Sequence, residues 1–248
     1  LNIEDATKKN YFLLFPEEMI LSILDAFIIN QPMTGKSGGD GFFVHQTKDC
    51  LYICLYDCMG HGHLASIMTR IYNHFLEEII IKEGLIDPGE ILNNLHKKVQ
   101  EKFKDKRNQL VGTAADAAIV KIDQNVRQME FAGAKINLVH VIKREATVIK
   151  GQRIQVGDFY EYARDYKSQK IIFPEGMKSS FYLMTDGFKD LIGTSKEKKL
   201  GIRKIITFLE TNYLNPSPKT KENMLTLIDD WGGGNDRVDD LLVIGFSV

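Results

Sequence analysis

The sequence predicts an α+β fold in which two stacked antiparallel β-sheets are flanked by helical layers. Two observations predict it. The apolar pattern changes period in blocks: strands, then helices, then a long run of strands, then helices and a last strand. The breaks between the strands are short, charged or turn-forming, as antiparallel neighbours allow. On the order of ten strands with four or five helices then close most simply as sheet on sheet with helices outside.

Taken in order, residues 1–29 read as an N-terminal helical segment, with Phe12, Leu13, Met19, Ile20, Ile23 and Leu24 as an apolar face broken at Pro16. Such a segment either covers the core or links it to a sensor or partner, and residues 30–248 form the main domain. Gly41–Lys48 and Asp49–Tyr56 are rich in β-branched and aromatic residues and suit two strands joined by a turn at Lys48-Asp49. The helical period then begins at Leu64 and runs through Ile67, Met68, Ile71, Tyr72, Phe75, Leu76, Ile79 and Ile80, with Gly84 placed to end it. Asp87-Pro88-Gly89-Glu90 opens a second helix with a capping aspartate, an N-terminal proline and a capping-box glutamate. Its buried face is Ile91, Leu92, Leu95, Val99 and Phe103. Strands follow at 114–122, 128–132, 138–142, 147–149, 170–173 and 180–185, then helices near 197–211 and 219–231 and a strand at 241–246.

The chain has 248 residues, 44% hydrophobic and 26% charged, with a net charge of −1. Its lysines are spread rather than gathered into a stripe, which argues against a nucleic-acid partner. No apolar run approaches the ~20 residues of a membrane span, and the amino end lacks the pattern of a signal peptide, so the expected location is cytoplasmic. The chain begins at Leu1 rather than Met, as a piece of a longer protein would. Cys50, Cys54 and Cys58 are odd in number and clustered, unlike a secreted disulfide framework. On an extended strand Cys50 and Cys54 stand ~13 Å apart, too far to share a zinc ion.

The chemistry concentrates between Ser37-Gly38-Gly39-Asp40 and Asp57-Cys58-Met59-Gly60-His61-Gly62. A two-residue turn at Lys48-Asp49 sets Thr47 opposite Cys50 and therefore Asp40 opposite Asp57. Like charges directly opposed destabilise a strand pair, so a cation is expected between them. A hard divalent ion held by carboxylate and carbonyl oxygens fits; the alternative is two solvated turn aspartates. Asp186 ends one apolar strand and Asp239 precedes another, so antiparallel neighbours bring them to one edge. Four aspartates beside glycines could form a two-metal centre. Taken alone, that constellation also suits a phosphodiesterase, which the absence of a basic groove disfavours.

In the order Gly38-Gly39-Asp40, Asp57–Gly62, Thr185-Asp186-Gly187 and Asp239–Gly245, these segments resemble the SpoIIE-type bacterial branch of the metal-dependent protein phosphatase 2C (PPM) family. Asp87–His96, Phe131–Ala134 and Asp186–Asp190 resemble it too, over roughly residues 30 to 248. The resemblance implies a phosphatase 2C-like sandwich and two Mn²⁺ or Mg²⁺ ions. Asp57 would bridge them, Asp186 and Asp239 would complete one, and Asp40 with the Cys58 carbonyl would serve the other. Gly39 and Gly187 would adjoin the substrate. His61 would be a general acid for the leaving oxygen or merely cap the helix near Leu64.

The implied activity is hydrolysis of phosphoserine or phosphothreonine on a signalling protein by metal-activated water, without a phosphoenzyme. A catalytically silent domain that binds a partner is the second reading. The implied substrate is a STAS-type anti-sigma-factor antagonist in a partner-switching pathway, with a fused or associated sensor domain and a homodimer left open. Two segments depart from the family pattern: Ala114-Ala115-Asp116 stands where relatives often carry Gly-Met-Asp, and Gly157–Gln169 is unusually rich in Tyr and Asp.

Overall fold

A computed structural model describes residues 16–33, 38–60, 63–106, 112–124, 126, 128–159, 165–194, 198–233 and 237–248, with only the backbone of His63. Among them are helix α1 (Pro16–Ile23), strands β1 (Asp25–Gln31), β2 (Asp40–Gln46) and β3 (Cys50–Cys58), and helices α2 (His63–Leu76) and α3 (Pro88–Phe103). Then come β4 (Ala115–Asp123), β5 (Gln128–Ala134), β6 (Leu138–Ile142), β7 (Glu145–Ile149), β8 (Gln169–Ile172) and β9 (Ser180–Met184). The short α4 (Asp186–Lys189), α5 (Gly201–Asn212), α6 (Ser217–Gly232) and β10 (Leu241–Ser247) complete the order.

The strands form two five-stranded sheets, β1-β10-β9-β6-β7 and β2-β3-β4-β5-β8. Every pairing between named strands is antiparallel. Side chains alternate across each pleat, so each sheet buries both faces. Between the sheets lie Leu51, Ile53, Leu55, Phe131, Phe181, Leu183, Ile244 and Phe246. Cys54, Tyr56, Cys58 and Ile119 face outward onto α2 and α3, while Phe27, Val139, Tyr182 and Val243 face α5 and α6. The result is the helix, sheet, sheet, helix sandwich that the sequence predicts.

The β2–β3 register is the expected one, with Asp40 opposite Asp57 and Gln46 opposite Leu51. The turn lacks glycine because Thr47 closes it: its backbone N–H donates to the Cys50 carbonyl at 2.8 Å, and its hydroxyl accepts from the Cys50 N–H at 2.9 Å. Asp87 caps α3 as expected, accepting from the Glu90 N–H at 2.9 Å behind Pro88. Gly84 adopts φ 70° just beyond the helical run it was expected to end.

Three features differ from the sequence reading. Asp25–Gln31 is a strand fully paired with β10, so the expected boundary at residue 30 falls inside a sheet element. Its residues Ala26 to Ile29 are all buried, which removes the alternation that would mark a strand. The helix from His63 becomes π-helical over Glu77–Lys82, keeping Ile79 and Ile80 buried. On α2, Leu64 and Ile67 are 69% and 52% exposed; Ala65, Met68, Tyr72 and Leu76 are the buried positions. Phe12 and Leu13 lie outside the described residues, whereas Ile20 is fully buried and belongs to the core between the sheets.

Candidate metal and active site

The site is built where the ends of β2, β3, β9 and β10 meet. Directly opposed residues hold their Cβ atoms about 4.5–5.5 Å apart, so the Asp40–Asp57 pairing brings two carboxylates together. Across β4 a third acid, Asp116, lies opposite Asp57. From the other sheet, β9 ends just before Thr185-Asp186 and β10 starts just after Asp239-Asp240. These two strands are antiparallel neighbours, so their acids arrive at one edge.

Hydrogen bonds join the two sheets at this corner. The Thr185 hydroxyl donates to Asp40 Oδ2 at 2.7 Å while accepting from the Leu242 N–H at 3.0 Å. The buried Asp240 carboxylate accepts from the Met33 N–H through Oδ1 and from the Gly39 N–H through Oδ2, each at 2.6 Å. Asp240 is therefore occupied with the backbone, while neighbouring Asp239 is only partly buried and accepts from the Asp240 N–H at 2.9 Å. The packing also gives both site glycines a reason. A Cβ on Gly39 would lie 2.5 Å from the Cys58 carbonyl oxygen, and one on Gly187 would collide with the Asp240 carbonyl.

Electrostatics at the corner are unfavourable for bare carboxylates. Burial raises the Asp40 carboxyl to about 7, with Asp240, Asp239 and Asp186 adding to the rise and the Thr185 hydroxyl opposing it. Burial raises Asp57 to about 9, reinforced by Asp40, Asp186, Asp239 and Asp116. Asp116 is raised by burial too, against a 2.7 Å hydrogen bond from Gln155 and the nearby charge of Lys135. The four sequence-predicted aspartates thus stand within mutual electrostatic reach, and a divalent cation would relieve the raised pair Asp40 and Asp57.

Donor chemistry fits such an ion: carboxylate and carbonyl oxygens suit Mg²⁺ or Mn²⁺. Among the described residues, no three His, Cys, Asp or Glu side chains form a ready-made site for one ion. Mg²⁺ commonly keeps several waters and takes only one or two carboxylates, so paired donors are sufficient.

The Cys58 side chain is fully buried, and burial, with the charges of Asp57 and Asp40, pushes its thiol well above the ordinary range. It packs as a protonated core group. Cys50, Cys54 and Cys58 are all unpaired thiols. His61 lies outside the described residues, as does the His63 side chain. Of the other histidines, His96 is structural, its Nδ1 accepting from the Gly157 N–H at 2.9 Å.

A cavity of about 70 Å³ opens at this corner, lined by Asp57, Asp116, Thr185 and Asp186 and flanked by Lys135 and Lys189. Sequence reasoning missed Thr185 and Asp240 as the pins between the sheets, and missed both lysines. Thr185 and Lys189 lie within the Thr185–Asp190 segment; Lys135 follows Ala134 with no distinguishing pattern.

The profile of the Stage II sporulation protein E (SpoIIE) family matches residues 47–248, a stretch that includes Asp57, Asp186 and Asp239 but begins after Asp40. Among solved structures, the chain is similar to the SiaA-PP2C domain of Pseudomonas aeruginosa, with a TM-score of 0.85 and 26% identity, covering 99% of this chain and 97% of that one. The PP2C phosphatase domain of Bacillus subtilis SpoIIE, with a fragment of its regulatory domain, gives a TM-score of 0.72 at 12% identity, covering 90% and 62%. RsbX in complex with magnesium gives 0.62 at 18% identity, covering 90% and 94%. Comparison with curated proteins gives no match. No helix among the described residues is long and apolar enough to cross a membrane.

Proposed function

The chain belongs to the SpoIIE family, and from that premise we propose that this PP2C-type serine/threonine phosphatase domain is an active, metal-dependent phosphoprotein phosphatase. The observation that carries the proposal is the pairing of buried Asp40 with partly buried Asp57 at the corner where Asp186 and Asp239 arrive. A sandwich without a cation to hold would gain stability by losing one of these acids.

Asp40, Asp57, Asp186 and Asp239, with the Cys58 carbonyl, would hold two Mn²⁺ or Mg²⁺ ions; the magnesium in the RsbX structure supports this choice of ion. When bound, such ions supply Lewis-acid polarisation of water and of the phosphoryl group. The chain's own residues do the rest. Thr185 orients Asp40, and Asp240 fixes the Gly39 backbone over the Cys58 carbonyl. The buried, protonated Cys58 thiol offers no nucleophile, so water attacks phosphorus directly and no phosphoenzyme forms. His61 is the candidate proton donor to the leaving serine or threonine oxygen.

The cavity of about 70 Å³ is far below the ~300–1,000 Å³ of pockets that enclose a drug-sized ligand. It suits a phosphoryl group whose carrier stays outside, in keeping with a protein substrate. We take that substrate to be a phosphorylated STAS-type antagonist in a cytoplasmic partner-switching pathway, as the resemblance to the SpoIIE-type branch implies.

A silent, partner-binding domain is the second reading, favoured by the absence of a three-side-chain metal group among the described residues. Phosphate release from a phosphoserine protein, followed with Mn²⁺ and with EDTA, decides between them. The active reading expects turnover with Mn²⁺ that EDTA abolishes; no turnover in either condition supports the silent one.

A further inference from the structure

Two lysines flank the cavity at the aspartate corner. Lys135 follows β5 with φ 63°, a left-handed conformation uncommon outside glycine. Its backbone is held by a 2.6 Å hydrogen bond from its N–H to the Gln152 carbonyl, which fixes where the side chain leaves the chain. Lys189 closes the single turn of α4 that Asp186 opens. Both border the cavity beside Asp57, Asp116 and Asp186, and they are its cationic groups among the described residues.

Neither lysine is locked by its carboxylate neighbour. Lys135 Nζ lies 3.7 Å from Asp116 Oδ1 and Lys189 Nζ lies 3.8 Å from Asp186 Oδ2, both beyond hydrogen-bond distance. Their side chains are 42% and 48% exposed, so these ion pairs contribute little to stability. The ammonium groups can therefore swing toward a ligand at small cost. A phosphate monoester entering among three carboxylates needs positive charge on its open side as well as beneath it.

We infer that Lys135 and Lys189 are substrate-recognition residues whose ammonium groups take the phosphoryl oxygens of the bound phosphoserine or phosphothreonine. The inference rests on the phosphatase reading for the identity of its substrate. On a long flexible stem each lysine acts as a mobile point charge, gripping the dianion and releasing it after hydrolysis.

The test uses the Mn²⁺-loaded chain with Lys135→Gln, Lys189→Gln, the double variant and Lys189→Arg. Calorimetric titration with inorganic phosphate measures binding directly, and a phosphoserine peptide gives KM and kcat. Each Gln variant should weaken phosphate binding and raise KM by roughly threefold to tenfold, with effects compounding in the double variant. kcat should change less than KM, Lys189→Arg should restore most of the binding, and Mn²⁺ affinity should hold or tighten as nearby positive charge is removed. Unchanged phosphate binding in the double variant would overturn the inference. So would a parallel fall in Mn²⁺ affinity, which would make the lysines supports of the carboxylates. If the parent chain hydrolyses no phosphoester, the phosphatase reading fails, yet the phosphate titration still decides the lysines: binding lost in the double variant upholds them, and a parent that binds no phosphate refutes them.

Discussion

Asp57 is held in an environment that penalises its own charge, and this can be measured without any activity assay. Its carboxyl is raised to about 9 and that of Asp40 to about 7, against about 3.9 in an unfolded chain. The folded, metal-free protein therefore holds protons that the unfolded chain has released. The associated stability is complete below about pH 4 and is lost as pH rises through about 7 and then 9. In EDTA, the melting temperature of the parent should fall more steeply from pH 6 to pH 9 than that of Asp57→Asn. At pH 8 the variant should be the more stable of the two, by on the order of 1–2 kcal/mol after allowance for partial exposure. Parallel pH profiles would remove the argument for a cation. Cys58 gives the opposite prediction. Its thiol is buried in the helix-facing core, so Cys58→Ser should lower the melting temperature, by about 1–3 kcal/mol in stability, while specific activity stays near that of the parent. A trapped phosphocysteine would contradict this. Asp40 and Asp57 were legible in the sequence because a two-residue turn and a strand period of two fix which residues face each other. Asp240 was not, because its role depends on accepting two backbone amides from segments about 200 residues away.

At the scale of elements, α1 takes up the core-covering role, one of the two that the sequence left open. Ile20 is fully buried: it fills the edge of the core between the sheets, with Met19, Ile23 and Leu24 packed against that cluster. Helix α1 therefore stabilises the sandwich, and Ile20→Ala should cost about 2–5 kcal/mol. Urea unfolding measures this directly; a loss below about 1 kcal/mol would show that α1 only rests on the surface. Were the segment also the link to a sensor or partner, a signal would act through this contact, since a displaced α1 would loosen β1 and β2, both of which it touches. The long helices were readable from their caps and period, as Asp87-Pro88 shows. β1 was not readable, because a short, wholly buried apolar run joined to a helix carries no alternation.

For the molecule as a whole, the order of period-two and helical blocks was enough to foresee two stacked sheets. Beyond the β2–β3 hairpin, which strand neighbours which was not, since β1 joins β10 and β5 joins β8 through contacts far apart in sequence. The β1–β10 pairing, across the full length of the chain, brings the first and last acids together. A small cavity at a rim of this kind should favour large substrates. kcat/KM for a phosphorylated STAS-type protein should exceed that for a generic phosphoserine peptide by at least about tenfold; equal values would count against a dedicated protein partner. The central claim is that the aspartate corner binds divalent cations, and calorimetric titration of Mn²⁺ into metal-free parent and Asp57→Asn tests it most directly. We predict two ions bound by the parent and markedly weakened binding in the variant, whereas a parent that binds none, or a variant that binds as well as the parent, would contradict it.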